Sequence, residues 1–176
     1  MNNKLLKGIS LVALDVDGVL TDGNIYYGQN GEFIKGFNVK DGLGIKMLQR
    51  YEIKVAFISG GKGGATEIRA KQLDISHCVV ESKNKRESLI NLQKSLGILP
   101  RATLFLGDDI NDLVVRDRVA ILASTADASK SLKAFSNIIL KKKGGNGAIR
   151  ELAEEILISK RIWNTLKKNG WNDRND

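Results

Sequence analysis

Short, unbroken apolar runs recur along this chain, and each is cut off by a cluster of Asp, Gly or Ser. Residues 9–14 stop at Asp15, and residues 54–58 stop at Ser59-Gly60-Gly61. Residues 78–80 form a shorter run, and residues 103–106 stop at Gly107-Asp108-Asp109. Residues 119–122 and 137–140 are of the same kind. Between them lie helical patterns over residues 42–51, 65–73, 85–96, 126–135 and 148–166. A strand that is apolar on both sides must be covered on both faces, and strands alternating with helices are joined by crossovers.

The pattern predicts an α/β fold: a doubly wound, Rossmann-like parallel sheet with helices on both faces. A chain of 176 residues buries about two thirds of its unfolded surface, enough for one core without a disulfide or structural metal. A single domain over residues 1–176 is expected, its C-terminal helix and tail covering about 147–176. One segment breaks the rhythm. Residues 23–39 contain Ile25-Tyr26-Tyr27, then Asn30-Gly31, then a second apolar stretch, which predicts a β-hairpin flap beside the end of the first strand. The spacing from Asp17 to Ser59 and from Ser59 to Lys85 leaves no room for a cap domain.

Composition removes several kinds of chemistry. There is one histidine, His77, and one cysteine, Cys78, so sites built on several His or Cys ligands and intrachain disulfides are excluded. Both sit beside a short apolar run and read as structural. No apolar run approaches the ~18 residues of a membrane span. The first run ends early at Asp15, so a signal peptide is not expected and the cytoplasm is the expected location. Lys and Arg total 28 against 20 Asp and Glu, a net charge of +8. That charge serves solubility or an anionic partner. No basic surface motif studded with aromatic residues supports nucleic acid, and Lys141-Lys142-Lys143 reads as a solvated run.

In a parallel sheet, ligands bind at the carboxyl ends of the strands, so the residues after each run carry the functional information. Asp15 and Asp17 stand two apart at the first strand end, where like charges repel unless a cation intervenes. An Asp-Gly turn alone would produce the same pair. Asp108, Asp109 and Asp112 follow another strand; one helix cap needs only one carboxylate. Oxygen ligands of this kind suit magnesium. Ser59 and the glycines after it offer a hydroxyl and backbone N–H groups to an anion. Lys85 opens a helix, a poor place for a cation with respect to the helix dipole. Together these are the parts for phosphoryl transfer through a carboxyl phosphate.

The order Asp-x-Asp-Gly-x-Leu-Thr, Ser-Gly, Lys, Gly-Asp-Asp-x-x-Asp resembles the four motifs of the haloacid dehalogenase superfamily. Asp22-Gly23, the segment Phe37 to Ile45, and Gly144-Gly145-Asn146-Gly147-Ala148-Ile149-Arg150-Glu151 resemble one capless branch, the 3-deoxy-D-manno-octulosonate 8-phosphate phosphatases. The resemblance covers residues 9–151. It implies that Asp15 is the nucleophile and that Asp17 protonates the leaving oxygen and then activates water. It implies Mg2+ held by Asp15, the backbone carbonyl of Asp17, and Asp108. Ser59, the Gly60 amide and Lys85 would bind the phosphoryl group, and Asp109 and Asp112 would either support the metal ligands or orient Lys85. Asp17, Asn38, Lys40, Asp41 and Arg69 match substrate-contacting positions. The implied assembly is a homotetramer in which hairpins meet centrally and a neighbouring subunit acts as lid. The 144–150 segment or the tail would enter a neighbour's site.

Two positions depart from the family pattern. Gly61 and Asn146 stand where basic residues are usual, with Lys62 as the nearest stand-in. A lysine one position along does not reproduce a bidentate arginine. The chemistry is untouched by these changes, but the sugar is not fixed. Phosphatases of nine-carbon sialic-type sugar acid 9-phosphates are the nearest alternative. A receiver-like signalling domain shares the sheet, the acids and magnesium, but its phosphorylated aspartate follows a later strand.

Overall fold

The structure, a computed structural model, describes residues 3–30 and 33–172. A short helix, α1 (Asn3–Lys7), leads into β1 (Leu11–Leu14). A hairpin of β2 (Tyr26–Tyr27) and β3 (Phe33–Ile34) follows, then α2 (Val39–Arg50) and β4 (Lys54–Ile58). The chain continues through α3 (Ala65–Gln72), β5 (His77–Val79), α4 (Lys85–Leu96) and β6 (Thr103–Gly107). A 3₁₀ segment (Ile110–Arg118), β7 (Ile121–Ser124), α5 (Lys130–Phe135), β8 (Ile138–Ile139), α6 (Ala148–Ser159) and α7 (Trp163–Asn169) complete it.

Six strands form one parallel sheet in the order β5-β4-β1-β6-β7-β8. β1 lies between β4 and β6, so its residues alternate between two buried faces. Val12 and Leu14 join the core under α2 and α6, while Leu11 and Ala13 join the core under α4. This is why the run carries no polar residue until Asp15. Order reverses at β1, because the chain first winds outward through β4 and β5 and then returns to β6. The crevice at that switch point is where ligands bind in such sheets. Asn38, Asn84 and Ser129 cap α2, α4 and α5 by accepting from backbone N–H groups of Lys40, Glu87 and Leu132.

The hairpin pairs Tyr26 with Ile34 and Tyr27 with Phe33 in a separate antiparallel sheet. Gly31 of the expected Asn30-Gly31 turn lies outside the described residues. Between β1 and β4 the described chain holds only the hairpin and α2, with no cap domain. No helix of the described residues is long and apolar enough to cross a membrane.

Two expectations change. The helix expected over 148–166 is two helices, α6 and α7, broken where Arg161 turns left-handed (φ 63°). The apolar spacing runs straight through the break: Ile149, Leu152, Ile156 and Leu166 are all buried, and Trp163 packs on the same core. Periodicity alone therefore cannot show it. The helix expected over 126–135 shortens to α5, because Ser129 takes the cap. The acids after β6 open a 3₁₀ segment, for which no helical pattern is read from the sequence.

Candidate active site

The carboxyl ends of β1, β4 and β6 converge with the start of α4 on one open cleft of about 360 Å³. Asp15, Asp17, Ser59, Gly60, Lys85 and Asp108 line it, with Asp109 at its rim. These are the residues singled out from the sequence as catalytic, phosphate-binding and metal-binding. A second cavity, about 380 Å³, opens at the other end of the sheet beside Gln49, Asp74 and His77. It lacks the convergent acids, and it places His77 far from the chemistry.

The centre is a buried knot of charge. Asp15, Asp108 and Asp112 each bring one carboxylate oxygen within 4.8 Å of the others. Lys85 Nζ donates to Asp15 Oδ2 at 2.9 Å and to Asp112 Oδ1 at 2.7 Å. Asp112 is fully buried, and its Oδ2 accepts from the Asp108 backbone N–H at 3.0 Å. Both Asp112 oxygens are therefore engaged. It touches both Lys85 and the Asp108 backbone, the contacts expected of a group that orients Lys85. Asp109 instead accepts from the backbone N–H of Ile110 and caps the 3₁₀ segment.

Burial pushes the Asp15 carboxyl up to about 6; the Asp112 charge adds to this and Lys85 opposes it. Burial also lifts Asp108 to about 7, helped by the charges of Asp15 and Asp112. Burial alone would pull Lys85 down, but the two aspartates outweigh it and hold its ammonium above the usual lysine range. One lysine does not neutralise three carboxylates. An all-oxygen set with this surplus of negative charge fits a hard divalent cation, so the residues present suit magnesium.

Gly18 makes the arrangement possible. Its φ is +79°, and a Cβ there would run into the Asp108 carboxylate. The Asp-Gly pair thus lets the first strand end and the acid cluster approach each other. Thr21 closes the turn by accepting from Gly18 N and Gly23 N at 3.3 and 3.2 Å. The Gly61 N–H donates to Ser59 Oγ at 3.0 Å, shaping the glycine loop after β4.

Asp17 points away from the acid cluster. Its Oδ1 pairs at 2.6 Å with Lys35, a residue the sequence analysis did not single out. Lys35 follows β3 and its side chain is 1% exposed. The sequence shows only a lone lysine among Phe33, Ile34 and Phe37, which does not name its partner. Lys62, the expected stand-in for the missing arginine, is instead exposed.

The residues matched to substrate contacts divide. Lys40 is exposed near the hairpin base. Asn38 donates from Nδ2 to the carbonyl of Gly145 while capping α2. Asp41 is buried, and its two oxygens accept from the backbone N–H groups of Gly147 and Arg150. Burial raises its carboxyl pKa, against the pull of those hydrogen bonds. Arg69 is buried in α3, facing Phe37 and bonded to Gln72. Gly145 N donates to Val19 O, and Gly144 N to Asp127. The 144–150 segment is thus hydrogen-bonded to its own chain at Val19, Asp127 and Asp41.

No family profile matches the chain. The 3-deoxy-D-manno-octulosonate 8-phosphate phosphatase of Escherichia coli K12 is 39% identical over 153 residues, covering 87% of this chain and 81% of that protein. The crystal structure of the Moraxella catarrhalis phosphatase of the same name, in complex with magnesium ion, phosphate ion and KDO, superposes with a TM-score of 0.92. It is 36% identical, covering 96% of this chain and 97% of that one. A Legionella pneumophila hydrolase of the haloacid dehalogenase superfamily superposes with a TM-score of 0.90 at 31% identity, covering 94% and 91% of the two chains. The Asp15–Gly18 turn, the buried Lys85 and the Asp108–Asp112 cluster thus sit on a fold and a sequence shared along nearly the whole chain: this protein belongs to the 3-deoxy-D-manno-octulosonate 8-phosphate phosphatase family of the haloacid dehalogenase superfamily.

Proposed function

We propose that this chain is a magnesium-dependent phosphatase that hydrolyses 3-deoxy-D-manno-octulosonate 8-phosphate to phosphate and the free sugar acid. The observation that carries the reading is the charge knot of Asp15, Asp108 and Asp112 around Lys85 at the carboxyl ends of β1 and β6. The names of the relatives support the substrate.

Asp15, Asp108 and the backbone carbonyl of Asp17 would hold the magnesium. Bound there, the ion neutralises the acids and withdraws charge from the phosphoryl oxygens. Ser59, the Gly60 N–H and Lys85 bind the remaining phosphoryl oxygens. A carboxylate oxygen of Asp15 attacks phosphorus as the bond to the sugar oxygen breaks. Asp17 gives its proton to that oxygen. Water then attacks the aspartyl phosphate, Asp17 takes the water's proton, and phosphate leaves with Asp15 restored. The side chain of Asp17 is 40% exposed in the cleft and lies outside the acid cluster, which suits a group that exchanges protons with substrate and water.

Of the residues matched to family substrate contacts, Asn38 and Lys40 would meet the sugar acid from outside the cleft lining, while Asp41 and Arg69 are buried and would act through the residues they touch. Gly61 and Asn146 keep a second substrate in view, a nine-carbon sialic-type sugar acid 9-phosphate. The assembly is a homotetramer joined through the hairpins, with a neighbour closing each cleft, in the cytoplasm. Ile25, Tyr26, Tyr27 and Ile34 expose 46–72% of their surface on this small sheet, an apolar patch suited to a second copy.

The test is phosphate release from a panel of sugar phosphates with magnesium, including both acids. Turnover of the octulosonate 8-phosphate, abolished by Asp15→Asn, is expected. Preference for the nine-carbon acid would move the substrate, and no turnover of any phosphoester would favour a receiver-like domain and sink the reading.

A further inference from the structure

The sequence lacks the usual arginine after Ser59-Gly60, and the structure puts a different cation close by. Lys35 leaves the hairpin at the end of β3 and turns under the flap. Its Nζ sits 2.6 Å from Asp17 Oδ1 and 3.4 Å from Thr66 Oγ1, with Thr66 itself fully buried on α3. Lysines are rarely sealed from water, because the ammonium loses its hydration and the long stem lets it escape at little cost. Here the side chain is 1% exposed. Its charged partner Asp17 is a carboxylate that still opens onto the cleft, its side chain 40% exposed.

Gly61 is part of the same arrangement. A Cβ at this position would stand 2.5 Å from Asp17 Oδ2, 3.3 Å from Ser59 Oγ and 3.6 Å from Lys35 Nζ. The bare glycine therefore leaves room for the Asp17–Lys35 pair beside the phosphate loop. One oxygen of Asp17 is clamped by Lys35, and the other faces the loop that carries Ser59. The clamp is built from the flap on one side and α3 on the other, so seating of the flap fixes the rotamer of Asp17.

We propose that Lys35 is a positioning residue for phosphoryl transfer: it holds Asp17 by Oδ1 so that Oδ2 meets the leaving-group oxygen, in the space that Gly61 keeps clear. The inference rests on the phosphatase reading and deepens it. It ties the flap, which has no part in the four motifs, to the proton-transfer group.

Leaving-group chemistry tests it. An alkyl oxygen, as in a sugar phosphate, leaves only with a proton, whereas p-nitrophenolate leaves without one. The ratio kcat/KM reports steps up to departure of that group, so the later attack by water does not enter. Lys35→Met should lower kcat/KM by ~10²-fold on the sugar phosphate and by less than ~10-fold on p-nitrophenyl phosphate. Asp17→Asn should show the same selective loss. The double variant should be no worse than Asp17→Asn alone, because Lys35 acts through Asp17. Equal losses on the two substrates, or additive losses in the double variant, would overturn the inference. Lys35→Gln is the second variant should Lys35→Met not fold; if neither folds, Lys35 is a structural residue and the inference is wrong. A wild-type protein inactive on both substrates would instead refute the phosphatase reading beneath it.

Discussion

Asp112→Asn removes one charge from the centre of the site and keeps the shape. Asp112 now accepts from Lys85 at 2.7 Å and from Asp108 N at 3.0 Å, with no exposed surface. The amide has one acceptor oxygen where the carboxylate has two, so its NH₂ must face one of the two donors. Losing a charge-assisted hydrogen bond of this kind costs about 1.5–3 kcal/mol. Stripping a buried ion of its only partner would cost about 3–5 kcal/mol, but Lys85 keeps Asp15 at 2.9 Å. The substitution also relieves repulsion, since the Asp112 charge pushes both Asp15 and Asp108 upward. The smaller figure therefore wins, and a loss of about 2 kcal/mol is expected. For a chain of this size that lowers Tm by roughly 4–8 °C, measured by calorimetry in EDTA. With magnesium, a Lys85 freed from one anchor should lose ~10²-fold in kcat/KM. A Tm within about 1 °C of wild type together with unchanged turnover would refute the role given to Asp112.

Two further outcomes follow from the charge knot and the hairpin. Burial pushes the carboxyls of Asp15 and Asp108 up to about 6 and about 7 in the folded protein, above the 3.8 of an exposed aspartate. Between those values the folded state holds more protons, so without metal these groups lose stability as pH rises from about 4 to 7. Magnesium needs the same groups ionised, so its stabilisation is weaker at pH 5 and grows toward pH 8; equal Tm increments at the two pH values would count against the metal site. On the hairpin, Tyr27 is 72% exposed, and Tyr27→Asp should shift sedimentation from the proposed tetramer to smaller species while leaving the far-UV spectrum intact. An unchanged sedimentation coefficient would remove the hairpin from the assembly.

Much of this molecule is legible in its sequence, because the sheet is covered on both faces. Strands β1, β4 and β6 had to be unbroken apolar runs, and their ends had to be polar where the chain leaves the core. Asp15, Asp17, Ser59, Lys85 and Asp108 are visible for that reason: each follows a run or opens the next helix, and the topology sends all of them to one edge. What the sequence could not show depends on directions in space. The break at Arg161 preserves the apolar spacing, so no pattern marks it. Asp109 and Asp112 are alike in sequence, yet one caps a 3₁₀ segment at the rim while the other is sealed against Lys85. Asp41 and Lys40 are neighbours, yet one is spent on the backbone of Gly147 and Arg150 and the other is exposed. Lys35 is the clearest case. By itself it is one lysine in a hairpin, and only the folding of that hairpin over α3 brings it within 2.6 Å of Asp17. Local periodicity determined which residues reach the strand ends, because burial acts on each run separately. The tertiary structure decided which charges meet there, because pairing depends on how distant segments pack together.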